Sequence, residues 1–234
     1  MRTVRRGLLK RRALRAAWVG MLLSSVVAGP AAASAAGANT SRRAVAAPGQ
    51  TTSAGFAAPS NALRAEMLVT AAVTQIGRTT LYDPAYVRLA YPGGDVPINR
   101  GVCTDVIIRA FRAIGLDLQL AVHEDMVRHF SSYPRTGRST PDANIDHRRV
   151  KNLAVFFTRS GAAVPVTQRP SDYLPGDVVM WDVGGLAHTG LVADALAPGT
   201  DRHTIVHNIG DGTQMEDILF EFPITGHFRY PASP

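Results

Sequence analysis

Apolar and polar positions along the chain change their period near its middle. From Asn61, a capping residue, the positions Leu63, Met67, Thr70, Ala71 and Thr74 recur at three- and four-residue spacing as far as Gly77, which predicts a first amphipathic helix. Residues 79–101, TTLYDPAYVRLAYPGGDVPINRG, break that rhythm with Asp-Pro, Pro-Gly-Gly and Val-Pro steps. They read as a long ordered loop of the kind that lines sites. Helical spacing returns at Val106, Ile107, Ala110, Phe111 and Ile114, and Gly115 stops it. Cys103 stands four residues before Ile107 and seven before Ala110, so it falls on the same apolar stripe. Two further helices are predicted. One covers 120–131 through Val122, Met126, Val127 and Phe130 and is closed by Pro134; the other covers 150–159 through Leu153, Phe156 and Phe157.

Beyond Ser171 the texture is that of strands. Tyr173 to Asp177 forms a turn, and apolar runs at 178–181, 189–195 and 204–209 are each bounded by glycine, proline or aspartate. Segments 218–222 and 226–230 add two more strands. Helices first and strands later predict an α+β domain over 61–234, with the helix bearing the cysteine packed on an antiparallel sheet.

The leader alters what the charge means. Residues 1–36 run from a basic stretch through an apolar one (Trp18 to Gly29) to small residues at A-x-A spacing, the pattern of an export signal. The apolar run falls short of the roughly 20 residues that span a bilayer, so no membrane anchor is expected after processing. Arg5-Arg6 fits a twin-arginine signal as well as a general one, and the route stays open. The formal net charge of +7 drops to 0 once the leader's seven cations (Arg2, Arg5, Arg6, Lys10, Arg11, Arg12 and Arg15) are removed with no anions. A nucleic-acid partner is therefore not expected. Residues 37–60 are small, polar and proline-dotted, as a flexible linker would be. The mature protein, placed in the periplasm, envelope or medium, is expected to be a monomer.

The chain has one cysteine, so in an exported protein it cannot form an internal disulfide. It is either a small buried hydrophobe or a nucleophile. Gly101 permits a tight turn into the helix, which puts the Cys103 thiol at a helix N-terminus, where N–H groups and the dipole favour a thiolate and an adjacent oxyanion. A nucleophile needs a base. Among seven histidines, His188 opens one predicted strand and His207 closes the next, so antiparallel neighbours would bring the two rings together. His123 and His129 read as solvated, and His203 and His227 as loop or edge residues. Cys103, His188 and His207 would then act as nucleophile, base and orienter; the alternative is that both histidines are plain strand residues. His123-Glu124 lacks the second histidine of H-E-x-x-H, and a lone cysteine excludes multi-cysteine sites, so neither metal nor other cofactor is expected. In NIDHRRV, the cluster of Asp146, His147, Arg148 and Arg149 is either a fork for a substrate carboxylate or a solvated charged loop.

The order GVCTDVIIRAFRAIG, PGDVVMW, HTGLVAD and TIVHN resembles the NlpC-type branch of papain-like cysteine peptidases. TTLYDPAYVRLAYPGGDVP, GVCTDV, VHEDM, NIDHRRV, PGDVV and VHNIG resemble the family catalogued as domain of unknown function 1287, which is similar to that branch. The resemblance implies a papain-like core and amide cleavage in cell-wall or other extracellular peptide. Cys103 would be the nucleophile, His188 the base and His207 the orienting residue, with Tyr82 or Tyr91 near the oxyanion. Thr104-Asp105 departs from the Ser-Gly that follows the cysteine in such enzymes. Asp105 would oppose ionisation of the thiol unless paired or turned away, or would complement the helix dipole. Hydrolysis is the expected activity; acyl transfer on the same scaffold and a non-catalytic envelope-binding module are the alternatives.

Overall fold

The computed structural model describes residues 60–135 and 137–230. The expected export signal and all of the expected linker except Ser60 lie outside the described residues. Ser60 caps α1 (Asn61–Val73), its hydroxyl accepting the Leu63 N–H at 3.2 Å, so the cap sits one residue before the Asn61 expected to fill it. The loop that follows has one pairing, a two-residue parallel contact between β1 (Leu81–Tyr82) and β2 (Arg100–Gly101). Then come α2 (Cys103–Ala113), α3 (Leu118–His129, capped by Asp117) and α4 (Val150–Arg159).

The sheet is built from the second half of the chain. Strands β3 (Val178–Val183), β4 (Leu186–Leu196), β5 (His203–Asn208), β6 (Thr213–Glu216) and β7 (Ile224–Phe228) form one antiparallel sheet in the order β6-β5-β4-β3-β7. The fold is α+β, as the sequence predicted. Two strand assignments change. Residues 218–222 form turns, whereas the polar segment TQME forms β6, which pairs His207 with Gln214 and Asn208 with Thr213. The apolarity of 218–222 serves burial instead: Leu219 is fully buried, and its carbonyl accepts the Trp181 indole N–H at 3.0 Å.

Alternation along the strands gives the sheet two apolar faces. One carries Val178, Met180, Leu191, Ala193, Val206 and Phe228 and shares a core with Val106, Ile107 and Phe111 of α2, Leu68 of α1, Val122 of α3 and Phe157 of α4. Each fully buried side chain of this size contributes roughly 1.5–3 kcal/mol. The other carries Val179, Trp181, Val192 and Ile205, all buried. His227, expected at an edge, is 2% exposed: it faces Asp177 at 2.8 Å and stacks on Tyr173 at 4.2 Å. Arg229 donates to the same carboxylate at 2.7 and 2.8 Å, so the turn expected at 173–177 fastens β7 to the start of β3. No helix among the described residues is long and apolar enough to cross a membrane.

Candidate functional site

The corner that delivers Cys103 is fixed by its neighbours. Tyr82 pairs with Gly101, and a Cβ on Gly101 would come 3.1 Å from both the Cβ and Oδ2 of Asp105. Glycine thus lets Asp105 fold back over the turn. Its carboxylate accepts the Val102 N–H at 2.7 Å, satisfying a donor at the start of α2, and the helix begins at Cys103. Cys103 is 4% exposed. Burial pushes its thiol up to about 12, against hydrogen bonding from the Thr189 backbone N–H; Asp105 adds to the rise, and the N–H groups of Thr104 and Cys103 oppose it. Desolvation outweighs the helix terminus here.

The strands open where the corner meets them. Register between β4 and β5 runs Leu196 to His203, Val192 to Ile205 and Leu191 to Val206, and ends there. Beyond that point the Thr189 N–H serves the sulfur, and Asn208 Nδ2 of β5 donates to the Gly101 carbonyl at 3.1 Å. The β2–α2 corner is therefore held from both strands, and the sulfur lies against the residue that follows His188. Gly190 has no Cβ to keep β5 away: one would lie 2.4 Å from Ile205 Cγ2 and 3.1 Å from His207 Cβ. His188 Nε2 and His207 Nδ1 are 2.9 Å apart, with the rings edge-on. The strand order thus brings the two imidazoles together. Burial, with a smaller contribution from His207, pushes His188 well below the usual imidazole range. These shifts keep the Cys103 thiol protonated and His188 uncharged at neutral pH.

Cys103 opens on a cavity of about 270 Å³, lined also by Tyr82, Pro84, Arg148, Arg149, Lys151 and Ala187. Burial pushes the Tyr82 phenol up to about 12, with Cys103 and Asp105 adding to it, so it remains a proton donor throughout the neutral range. Arg148 is placed differently from the expected carboxylate fork. Its guanidinium donates to Asp105 through Nε and Nη2, each at 2.9 Å, and to the Ala85 carbonyl at 3.1 Å. Its side chain is 2% exposed. The anion two residues beyond the thiol is thereby paired, and the fork is spent on it.

The other expected site residues lie elsewhere. Tyr91 packs edge-on against His123 at 5.1 Å; like His188 and His207, it is not among the residues lining the cavity. Asp146 is buried, accepts the Asp142 N–H, and has its carboxyl raised by burial. His147 is buried, with Nδ1 lacking a hydrogen-bond partner; burial, then Arg112 and Arg148, push it down to about 4. NIDHRRV is neither a solvated loop nor an open fork, since Asp146, His147 and Arg148 are all buried. Among the described residues no group of three or more His, Cys, Asp or Glu is arranged to hold a metal ion.

Glu216 and Asn208 escaped sequence reasoning. Glu216 Oε2 lies 3.0 Å from His207 Nε2, which extends the chain of rings by a carboxylate. The signal was period-two spacing: Gln214 opposes His207 in the register, and Glu216, two residues on, shares its face. It is legible only once β6 is known to be a strand.

Comparison with known proteins agrees in extent with this architecture. The family model "Domain of unknown function (DUF1287)" matches residues 69–230. "Uncharacterized protein YijF" of Escherichia coli (strain K12) is 54% identical over 159 residues, covering 67% of this chain and 77% of that protein. No solved structure matches. The matched residues run from α1 to beyond β7 and include Cys103, His188, His207 and Glu216, and the chain belongs to the DUF1287 family.

Proposed function

We propose that this protein is an exported thiol hydrolase of papain-like, NlpC-type architecture that cleaves amide bonds in cell-wall peptide. The observations that carry the reading are the seating of the Cys103 sulfur against the N–H of Thr189, the residue that follows His188, and the pairing of His188 Nε2 with His207 Nδ1 at 2.9 Å. In this reading His188 Nδ1, the nitrogen not engaged by His207, takes the thiol proton. The sulfur then bonds to the scissile carbonyl carbon, and the carbonyl π pair moves to oxygen, for which we assign the Tyr82 hydroxyl of the cavity lining as donor. Collapse breaks the C–N bond, the amine leaves with the proton from His188, and a thioester remains. Water adds its oxygen to the thioester carbon as His188 takes its proton; collapse breaks the C–S bond, the acid departs, and His188 returns the proton to the leaving sulfur. Neutral resting groups suit this course, because the proton moves as the nucleophile attacks.

The test is digestion of purified wall fragments by the mature protein, read as new amine termini by mass spectrometry. Wild type should release them, and Cys103→Ala and His188→Ala should each lose at least a thousandfold in rate. Undiminished cleavage by Cys103→Ala overturns the proposal. Amide exchange with an added amine would assign transfer in place of hydrolysis. Fragment binding without turnover, unchanged when Cys103, His188 and His207 are replaced together, would assign a binding module.

A further inference from the structure

We infer that Glu216 is the positioning residue that decides which nitrogen of His188 is the base; the inference rests on the thiol hydrolase reading above. Two rings in series can carry their protons in two directions, and only one leaves His188 able to accept. A carboxylate has acceptors alone. Glu216 Oε2 at 3.0 Å from His207 Nε2 therefore places a proton on that nitrogen. Neutral His207 then has its lone pair on Nδ1, which faces His188 Nε2 at 2.9 Å and must receive a proton from it. Neutral His188, with its proton on Nε2, keeps the lone pair on Nδ1. Reverse the direction and His207 Nδ1 donates, His188 accepts at Nε2, and its Nδ1 carries a proton that blocks the transfer from sulfur.

The fold builds this direction in. His207 is 1% exposed and His188 4%, so solvent does not fix their tautomers. Glu216 closes β6, opposite Ile205 and two residues from the Gln214 that opposes His207, and its side chain retains 26% exposure. The next residue, Asp217, is held by Arg202 through bonds of 3.0 and 2.7 Å, which anchors the end of the strand. When His188 takes the thiol proton, its Nε2–H still points at a lone pair and the chain ends on an anion, so no group has to reorient during the reaction.

The direction of the protons is observable without substrate. Long-range proton–nitrogen correlation on 15N-histidine-labelled protein distinguishes the two neutral tautomers of each ring, with assignments from single histidine replacements. Wild type should show both His188 and His207 protonated on Nε2. Glu216→Leu should convert at least half of His188 to the Nδ1–H form and lower wall-fragment cleavage at least tenfold. Glu216→Asp should restore the wild-type tautomers. Glu216→Gln, which keeps the shape but presents either an acceptor or a donor, should show a mixture and guards against misfolding of the leucine variant. Nδ1–H on either ring in wild type, or wild-type tautomers in both Glu216→Leu and Glu216→Gln, would overturn the inference. Failure of the hydrolase reading would appear as absent turnover with the tautomer pattern intact.

Discussion

Arg148 and Asp105 form a buried bidentate pair, both bonds at 2.9 Å, and Asp105 stands two residues beyond Cys103 in the first turn of α2. Breaking such a pair from one side leaves a buried charge uncompensated, at a cost of about 3–5 kcal/mol. Arg148→Met should lose about that much stability by urea denaturation, because it strips both guanidinium bonds from Asp105 and leaves the Val102 N–H to face the charge. The double replacement Asp105→Asn with Arg148→Met removes both charges and should be more stable than Arg148→Met alone. Equal losses in the two would show that packing of the arginine stem, and not the charge, matters at this position.

The same pair bears on the thiol. Cys103 is raised by burial and, secondarily, by Asp105. A raised thiol keeps its proton through neutral pH and loses it only in strongly alkaline solution. Alkylation by iodoacetamide should therefore climb through pH 9 and 10 with no plateau below pH 8, and the inflection should move down in Asp105→Asn. A neutral-pH plateau in wild type that His188→Ala abolishes would show instead that the resting site holds a thiolate–imidazolium pair.

The helix bearing Cys103 was legible because five apolar positions share one face and glycine ends it; the structure runs it from Cys103 to Ala113 with φ of +80° at Gly115. The meeting of His188 and His207 was legible because consecutive antiparallel strands put facing ends together. What hid was whatever depended on partners distant in sequence. The basic residues of NIDHRRV give no hint that Asp105, 43 positions earlier, absorbs Arg148. The apolarity of 218–222 reads as strand, yet a turn that buries Ile218 and Leu219 is equally apolar. Polar, short β6 carried no strand pattern, and Glu216 went unnoticed with it.

Acid should loosen the fold well before its carboxylates are all protonated. His147 is lowered to about 4, and His188 is also lowered. A histidine with a depressed pKa binds fewer protons folded than unfolded, so its contribution is complete above the unfolded value of about 6.5 and is lost as pH falls through the folded one. For His147 that window is worth on the order of 3 kcal/mol. Stability by urea should decline from pH 6.5 to 4, and His147→Leu, which removes the unpartnered ring nitrogen, should flatten the decline. An identical slope in the variant would move the acid sensitivity to other groups.

Gly190 tests whether the two imidazoles must lie side by side. A methyl group there would meet Ile205 Cγ2 at 2.4 Å, too close to coexist, and His207 Cβ at 3.1 Å, tight enough to push. Ile205 is fully buried, and its Cγ2 is carried on a stiff β-branched Cβ. Gly190→Ala should therefore cost about 1–3 kcal/mol as β5 is forced outward, and His207 should be displaced from His188. Adding Ile205→Ala removes the severe contact but leaves the one with His207. In that double variant the stability loss should be less than the sum of the two single losses, whereas cleavage of wall fragments should stay at least tenfold below that of Ile205→Ala alone. Full recovery of cleavage along with stability would mean that the ring pairing tolerates the push, and that Gly190 is required by Ile205 and not by the site.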